Sequence, residues 1–298
     1  MKDEFYEDLL QRLSRELSIL PDKPEETPEN TLKALWSLAK GKPVSAELVK
    51  DYEPEELAED ELAQLKVCVQ QRLAGVPLAH ISGRQSFMGL ELIAGPEALI
   101  PRKETELLAG AAIEVLRSHD ADGPAYVIDV CTGAGNVAVA IAMEIEHAQI
   151  YAGDLSEDAV ALAYQNCELH GLIDRIQLHS GDLLDPFLDL GLNGKVDMIT
   201  CNPPYISSAK VPAMASEIAS HEPQMAFDGG VFGVNLMRRL IREAPELICD
   251  GGHLLFEVGL GQAAALKKQM SKMPQYDSVE IVRDADGNAR VIVARVSY

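Results

Sequence analysis

Apolar residues recur at intervals of three and four in the first part of the chain, then at intervals of two or in short unbroken runs. Phe5, Leu9, Leu10, Leu13 and Leu17 share one helical stripe, and Leu32, Leu35, Trp36, Leu38 and Ala39 share another. Pro21, Pro24 and Pro28 punctuate them, since proline lacks the amide proton that a helix interior needs. Leu62, Leu65, Val69 and Leu73 predict a further helix over 59–74, stopping at Gly75-Val76-Pro77. Residues 1–81 therefore read as a small helical bundle. Over 82–102 the period falls to two, in 87–93 and again in Ala98-Leu99-Ile100, with Gly95-Pro96 between them. That pattern predicts a β-hairpin turning at Gly95-Pro96 and linking two domains.

From 103 to 298 strands and helices alternate. A helix over 104–117 precedes strand signals at 126–129, 149–153, 176–179 and 196–200, with helices after the first two strands. Such alternation predicts a parallel sheet covered on both faces. The end of the chain departs from it: a strand at 253–258 and a helix at 262–273 are followed by strand signals at 278–283 and 290–296, read as an antiparallel hairpin.

Composition narrows the functional classes. A chain of 298 residues with 47% hydrophobic and 24% charged residues suits a folded enzyme of one large and one small domain. With 26 basic against 47 acidic residues the formal charge is −21, which disfavours direct binding to nucleic acid phosphates. Five dispersed cysteines without a C-x-x-C pair predict neither a disulfide framework nor a metal site and suit a reducing cytoplasm. The acidic start and the short apolar run at 137–143 predict neither an export signal nor a membrane span.

Two motifs carry the chemistry. The first is the turn Asp129-Val130-Cys131-Thr132-Gly133-Ala134-Gly135, followed by Asp154 at the end of the next strand. A glycine turn followed by an acid that can accept from ribose hydroxyls serves dinucleotides, and the same geometry serves S-adenosylmethionine. Asp129, able to meet an ammonium, and Asp182, able to receive an adenine amino group or to cap a helix, favour the latter. The second motif, Asn202-Pro203-Pro204-Tyr205, follows a strand. Its prolines remove two donors and stiffen the chain, leaving carbonyls and the Asn202 oxygen as a row of acceptors for an NH2 group. Tyr205 adds a flat face, so the pair of motifs points to methyl transfer onto a planar nitrogen.

These residues resemble the class I, S-adenosylmethionine-dependent N5-glutamine methyltransferases that modify peptide chain release factors, whose close relatives modify a ribosomal protein. The likeness extends over 75–298 and includes Pro77-Leu78-Ala79-His80-Ile81, Phe87-Met88-Gly89-Leu90, Leu99-Ile100-Pro101-Arg102-Lys103-Glu104-Thr105-Glu106, both motifs, His221-Glu222-Pro223, Asp228-Gly229-Gly230, Glu257-Val258-Gly259 and Asp286-Gly287. It implies an α/β fold: a seven-stranded, Rossmann-like class I methyltransferase sheet with an antiparallel last strand, a helical N-terminal domain that recruits the protein substrate, and a linking hairpin. It places the cofactor on Asp129, Cys131, Thr132, Gly133, Ala134, Gly135, Asp154, Asp182, Leu183 and Asn202, with S-adenosylhomocysteine as the product left behind. It places the glutamine on Asn202, Pro203, Pro204 and Tyr205, the catalytic set being Asn202, Pro203 and Tyr205. The chain departs from the family at Lys103, commonly proline, and at Cys131, commonly glycine, and its first 75 residues match poorly.

Other acceptors remain open on the residues alone: a ribosomal protein glutamine, a free amino acid, a guanidino metabolite or adenine N6. A dinucleotide-dependent oxidoreductase is the alternative from another class. His221 and Glu222 read as a solvated loop rather than as acid and base groups, and Glu257 as a polar strand end at the functional edge of the sheet.

Overall fold

The computed structural model describes residues 2–118, 123–206, 221–227 and 234–298. These fall into two compact units, one of 2–96, 100–103 and 221–222, the other of 97–99, 104–118, 123–206, 223–227 and 234–298. Asp228-Gly229-Gly230 lies outside the described residues.

In the first unit the expected stripes form helices α1 (Lys2–Glu16), α2 (Pro28–Ala39), α3 (Glu59–Leu73) and the short α4 (Leu78–Ser82). Thr27 starts α2 by accepting the Asn30 amide at 3.1 Å, with Pro28 at the first helical position, where no amide proton is missed. Leu13, Leu32, Leu35, Trp36, Leu65 and Val69 are buried together, and the Trp36 indole donates to the Glu55 carbonyl at 2.8 Å. Below this core, Arg72 pairs with Glu26 at 2.7 Å, both almost fully buried.

The hairpin also belongs to this unit, with a different turn from the one expected. Strands β1 (Arg84–Phe87) and β2 (Leu90–Ile93) pair antiparallel through Met88-Gly89, whose φ values are 50° and 76°. Positive φ at both central residues matches the twist of two flanking strands. A methionine there hides the turn from sequence inspection, because non-glycine residues seldom adopt that conformation. Ala98-Leu99-Ile100 forms no strand.

In the second unit helix α5 (Lys103–Arg117) leads into β3 (Ala125–Val130), α6 (Asn136–Glu144), β4 (Ala148–Asp154), α7 (Glu157–Leu169), β5 (Ile176–Ser180), β6 (Val196–Cys201), α8 (Asn235–Glu243), β7 (Ile248–Glu257), α9 (Ala263–Met270), β8 (Tyr276–Arg283) and β9 (Ala289–Val296). Helix α8, with Met237, Leu240 and Ile241 buried between arginines, was not anticipated from the pattern. The seven strands lie in the order β5-β4-β3-β6-β7-β9-β8. Strand β9 runs antiparallel between β7 and β8, and the other pairings are parallel. Among the described residues no helix is long and apolar enough to cross a membrane.

The order reverses between β3 and β6, which opens a crevice at the carboxyl ends of those strands. Register aligns what lies there. Val130 stands beside Gly153 and Cys201, and Cys201 stands beside Phe256. The residues that follow, Cys131, Asp154, Asn202 and Glu257, therefore leave the sheet along one edge.

Candidate active site

The glycine turn is built by backbone conformation. Cys131, Gly133 and Gly135 have φ of 56°, 54° and 79°. A side chain at Gly135 would stand 3.1 Å from the Ala163 Cβ of α7, so glycine is required there for both conformation and space. Among the described residues, a Cβ placed on Gly133 would meet just the Ala98 Cβ, at 3.9 Å, which leaves the space there open.

Two carboxylates hold this turn. Asp129 is 1% exposed and accepts the Thr132 hydroxyl at 2.6 Å and the Thr200 hydroxyl at 2.7 Å, tying the turn to β6. Burial raises its pKa to about 6, against the pull of its two hydroxyl partners. Asp154 accepts the Gly133 amide at 2.9 Å through one oxygen and the Ser156 amide at 3.0 Å through the other, and burial again raises its pKa. Beside it Leu155 is 57% exposed, an apolar surface that inspection of the sequence passed over.

After β5, Leu183 adopts φ 51° with its side chain in the sheet core. Asp182 is exposed and pairs with Arg239 of α8, which also reaches Asp185 at 3.0 Å and Glu243 at 3.1 Å. Asp182 caps no helix with its side chain.

The Asn202-Pro203-Pro204-Tyr205 loop is held by side chains from elsewhere. Asn202 donates its Nδ2 to Thr105 Oγ1 of α5 at 3.0 Å, and the Thr105 hydroxyl donates to Glu257 Oε2 at 2.7 Å. The Tyr205 hydroxyl donates to the other oxygen, Glu257 Oε1, at 2.8 Å. Burial pushes the Glu257 carboxyl up, and burial with the Glu257 charge pushes the Tyr205 hydroxyl well above its ordinary value. Gln262 donates to the Tyr205 carbonyl at 3.1 Å and accepts the Gly259 amide at 2.9 Å. A Cβ at Gly259 would lie 3.0 Å from the Tyr205 ring, so glycine lets the ring close on the backbone. Pro203 is buried, while Asn202, Pro204 and Tyr205 are partly exposed. Of their supports, Thr105 lies in the Leu99–Glu106 stretch that carries the family resemblance, without a role legible there, and Gln262 gave no signal in the sequence.

Cys201 is wholly buried, and burial, reinforced by the neighbouring Cys131, drives its thiol well above the ordinary range. Glu222 corrects an expectation. It is buried in the first unit, accepting the Ile100 amide at 3.0 Å and pairing with Arg102, rather than lying in a solvated loop. A backbone amide and an arginine supply the compensation that a buried carboxylate needs.

A family model described as "Methyltransferase small domain" matches residues 109–240. The release factor glutamine methyltransferase of Geobacter sulfurreducens is 36% identical over 237 residues, 80% of this chain and 79% of that protein. That of Bacillus subtilis is 35% identical over 243 residues, covering 81% and 83%. Among solved structures a methyltransferase from Pyrococcus furiosus has a TM-score of 0.50 at 16% identity, covering 78% of this chain and 98% of its own, a likeness of fold alone. With the sheet order, the edge-aligned residues and relatives at this identity over most of their length, the chain belongs to the release factor glutamine methyltransferase family.

Proposed function

We propose that this enzyme methylates the side-chain amide nitrogen of a glutamine in a peptide chain release factor, using S-adenosylmethionine. The observation that carries the reading is the orientation of Asn202: its NH2 is committed to Thr105, so its Oδ1 is the atom left to accept at the sheet edge that also carries Cys131, Asp154 and the glycine turn.

The residues present suit that cofactor. The space at Gly133, the carboxylate of Asp154, the exposed Leu155 and the backbone of Asp182 and Leu183 offer surfaces for ribose hydroxyls and an adenine ring, as do Cys131, Thr132, Ala134 and Gly135 around them, while the buried Asp129 holds the turn and sets its charge beneath the place an ammonium would take. When bound, S-adenosylmethionine supplies a methyl group activated by its sulfonium.

An amide nitrogen is a poor nucleophile because its lone pair is delocalised into the carbonyl. Asn202 Oδ1 and the Pro203 carbonyl accept its two N–H bonds, which orients the nitrogen and stabilises the positive charge that grows on it. Pro203 and Pro204 carry no amide proton, so nothing in that stretch competes as a donor. Tyr205 supports the planar group. Neither acceptor is a strong base, so the proton leaves to water after the methyl group has moved.

The N-terminal helical unit, with its acidic surface, recruits the protein substrate in this reading, and the compartment is the cytoplasm. Incubation with tritiated S-adenosylmethionine and purified release factors, followed by peptide mapping, tests it. Label on one glutamine side chain is the expected result. Label on a ribosomal protein, a small molecule or nucleic acid instead would replace the acceptor.

A further inference from the structure

Thr105 and Glu257 lie outside the acceptor loop, yet the hydrogen-bond directions make them decide what the loop can bind. A threonine hydroxyl has one proton to give. Thr105 gives it to Glu257 Oε2 at 2.7 Å, so only a lone pair remains for Asn202, 3.0 Å away. Asn202 must then present its NH2 to Thr105 and turn its oxygen outward. The two ends of a side-chain amide are nearly identical in shape, so the fold alone does not choose between them. Were the amide reversed, an NH2 group would face the NH2 of the substrate, donor against donor.

The choice is made one residue further back. Glu257 is 2% exposed and receives two hydroxyl protons, from Thr105 and from Tyr205. As a carboxylate it accepts only, so both hydroxyls must point toward it. The Tyr205 hydroxyl, held protonated by burial and by that charge, can serve only as donor to it. Glu104 of α5 and Arg290 of β9 are the other charged groups that act on Glu257, with opposing effects.

We propose that Glu257, acting through Thr105, is a positioning residue that fixes the polarity of Asn202, and thereby makes the site select an NH2 donor over an acceptor such as a carbonyl or an ester. The inference rests on the methyl-transfer reading above and deepens it. Glu257 touches no reacting atom; its influence travels through two hydrogen bonds. Tyr205 acts as a second tether, so one carboxylate holds both ends of the Asn-Pro-Pro-Tyr stretch.

The test compares Thr105→Val, which keeps the shape and removes the hydroxyl, with Glu257→Gln, which keeps the shape and adds a donor. Each is expected to lower kcat for a glutamine-containing release factor fragment by roughly 30-fold or more, in the range for a misplaced or lost preorganised contact. Affinity for S-adenosylhomocysteine, read by calorimetry, should stay within about twofold of wild type, since binding lost uniformly would raise KM instead. Thr105→Ser should recover most of what Thr105→Val loses. In an Asn202→Ala background Thr105→Val should lower kcat no further, because its effect passes through the missing amide, whereas Glu257→Gln keeps only what it loses through Tyr205. A Thr105→Val loss that multiplies in that background, or a kcat within about threefold of wild type in both single variants, would overturn the proposal by the same cycle logic.

A second measurement reads the amide itself. The side-chain NH2 resonances of Asn202, assigned by comparison with Asn202→Ala, should shift in both Thr105→Val and Glu257→Gln. Unmoved resonances would overturn the assignment of polarity. This arm needs no substrate, so it stands even if the wild-type enzyme fails to methylate a release factor, a result that would count against the proposed acceptor alone.

Discussion

Two buried carboxylates stand at the carboxyl ends of neighbouring regions of one sheet and use the same chemistry for different purposes. Asp129, on β3, receives hydroxyl protons from Thr132 and Thr200, and Glu257, ending β7, receives them from Thr105 and Tyr205. Both are almost fully buried, and burial raises both pKa values. Around Asp129 the rest of the work is done by the backbone, through three left-handed residues within five positions and a glycine pressed on α7. Around Glu257 it is done by side chains from α5, the acceptor loop and the segment after β7. The side proposed for the cofactor is thus shaped by local conformation, and the side proposed for the acceptor by hydrogen bonds from distant parts of the chain.

Substitutions separate the two mechanisms. The largest effect is expected from Asn202→Ala, which should reduce kcat by about 100-fold or more while leaving cofactor affinity intact. Single-turnover transfer of labelled methyl, alongside calorimetric titration, checks both halves. On the other side, Gly135→Ala forces a side chain into a left-handed residue facing Ala163. It should destabilise the fold by about 1–3 kcal/mol and weaken cofactor binding, as thermal melts and the same titration will show. A normal melt would mean that the turn is more adaptable than its contacts imply.

Gln262→Ala removes the donor to the Tyr205 carbonyl and the acceptor of the Gly259 amide, of which the first bears on the Asn202 loop. It should cost about 1 kcal/mol, hence a severalfold loss of kcat, far less than losing Asn202 itself. The smallest effect concerns pH. Because Asp129 has a folded pKa near 6, above the ordinary carboxylate value of 3.8, the native state holds its proton more tightly than the unfolded state. Its contribution to stability is therefore greatest below about pH 4 and falls as pH rises through about 6. Asp129→Asn should flatten that part of the stability profile in chemical denaturation measured from pH 4 to 7. In the proposed reading the same substitution also weakens cofactor binding, since the turn loses the negative charge placed beneath it.

The contrast also explains what could be read before the structure. The Asp129–Gly135 turn, Asp154 and the strand alternation are legible because each signal is contiguous: glycines where φ is positive, an acid at a strand end, apolar runs of strand length. Asn202 to Tyr205 is legible for the same reason. Gln262 and the roles of Thr105 and Glu257 are not: Thr105 and Glu257 stand in stretches that carry the family resemblance, but what each side chain does is settled only when folding brings 105, 202, 205 and 257 together. The hairpin turn at Met88-Gly89 escaped because methionine masks a left-handed residue. Glu222 escaped because its partners, Ile100 and Arg102, lie about 120 positions earlier in the chain, so its burial has no local mark.

Neutron diffraction from deuterated crystals with S-adenosylhomocysteine and a glutamine peptide would test the polarity of the acceptor site most directly. The account predicts the Thr105 deuteron on the line to Glu257, an Asn202 Nδ2 deuteron aimed at Thr105, and the substrate nitrogen donating to Asn202 Oδ1. An Asn202 NH2 turned toward the substrate, with its oxygen on Thr105, would contradict it.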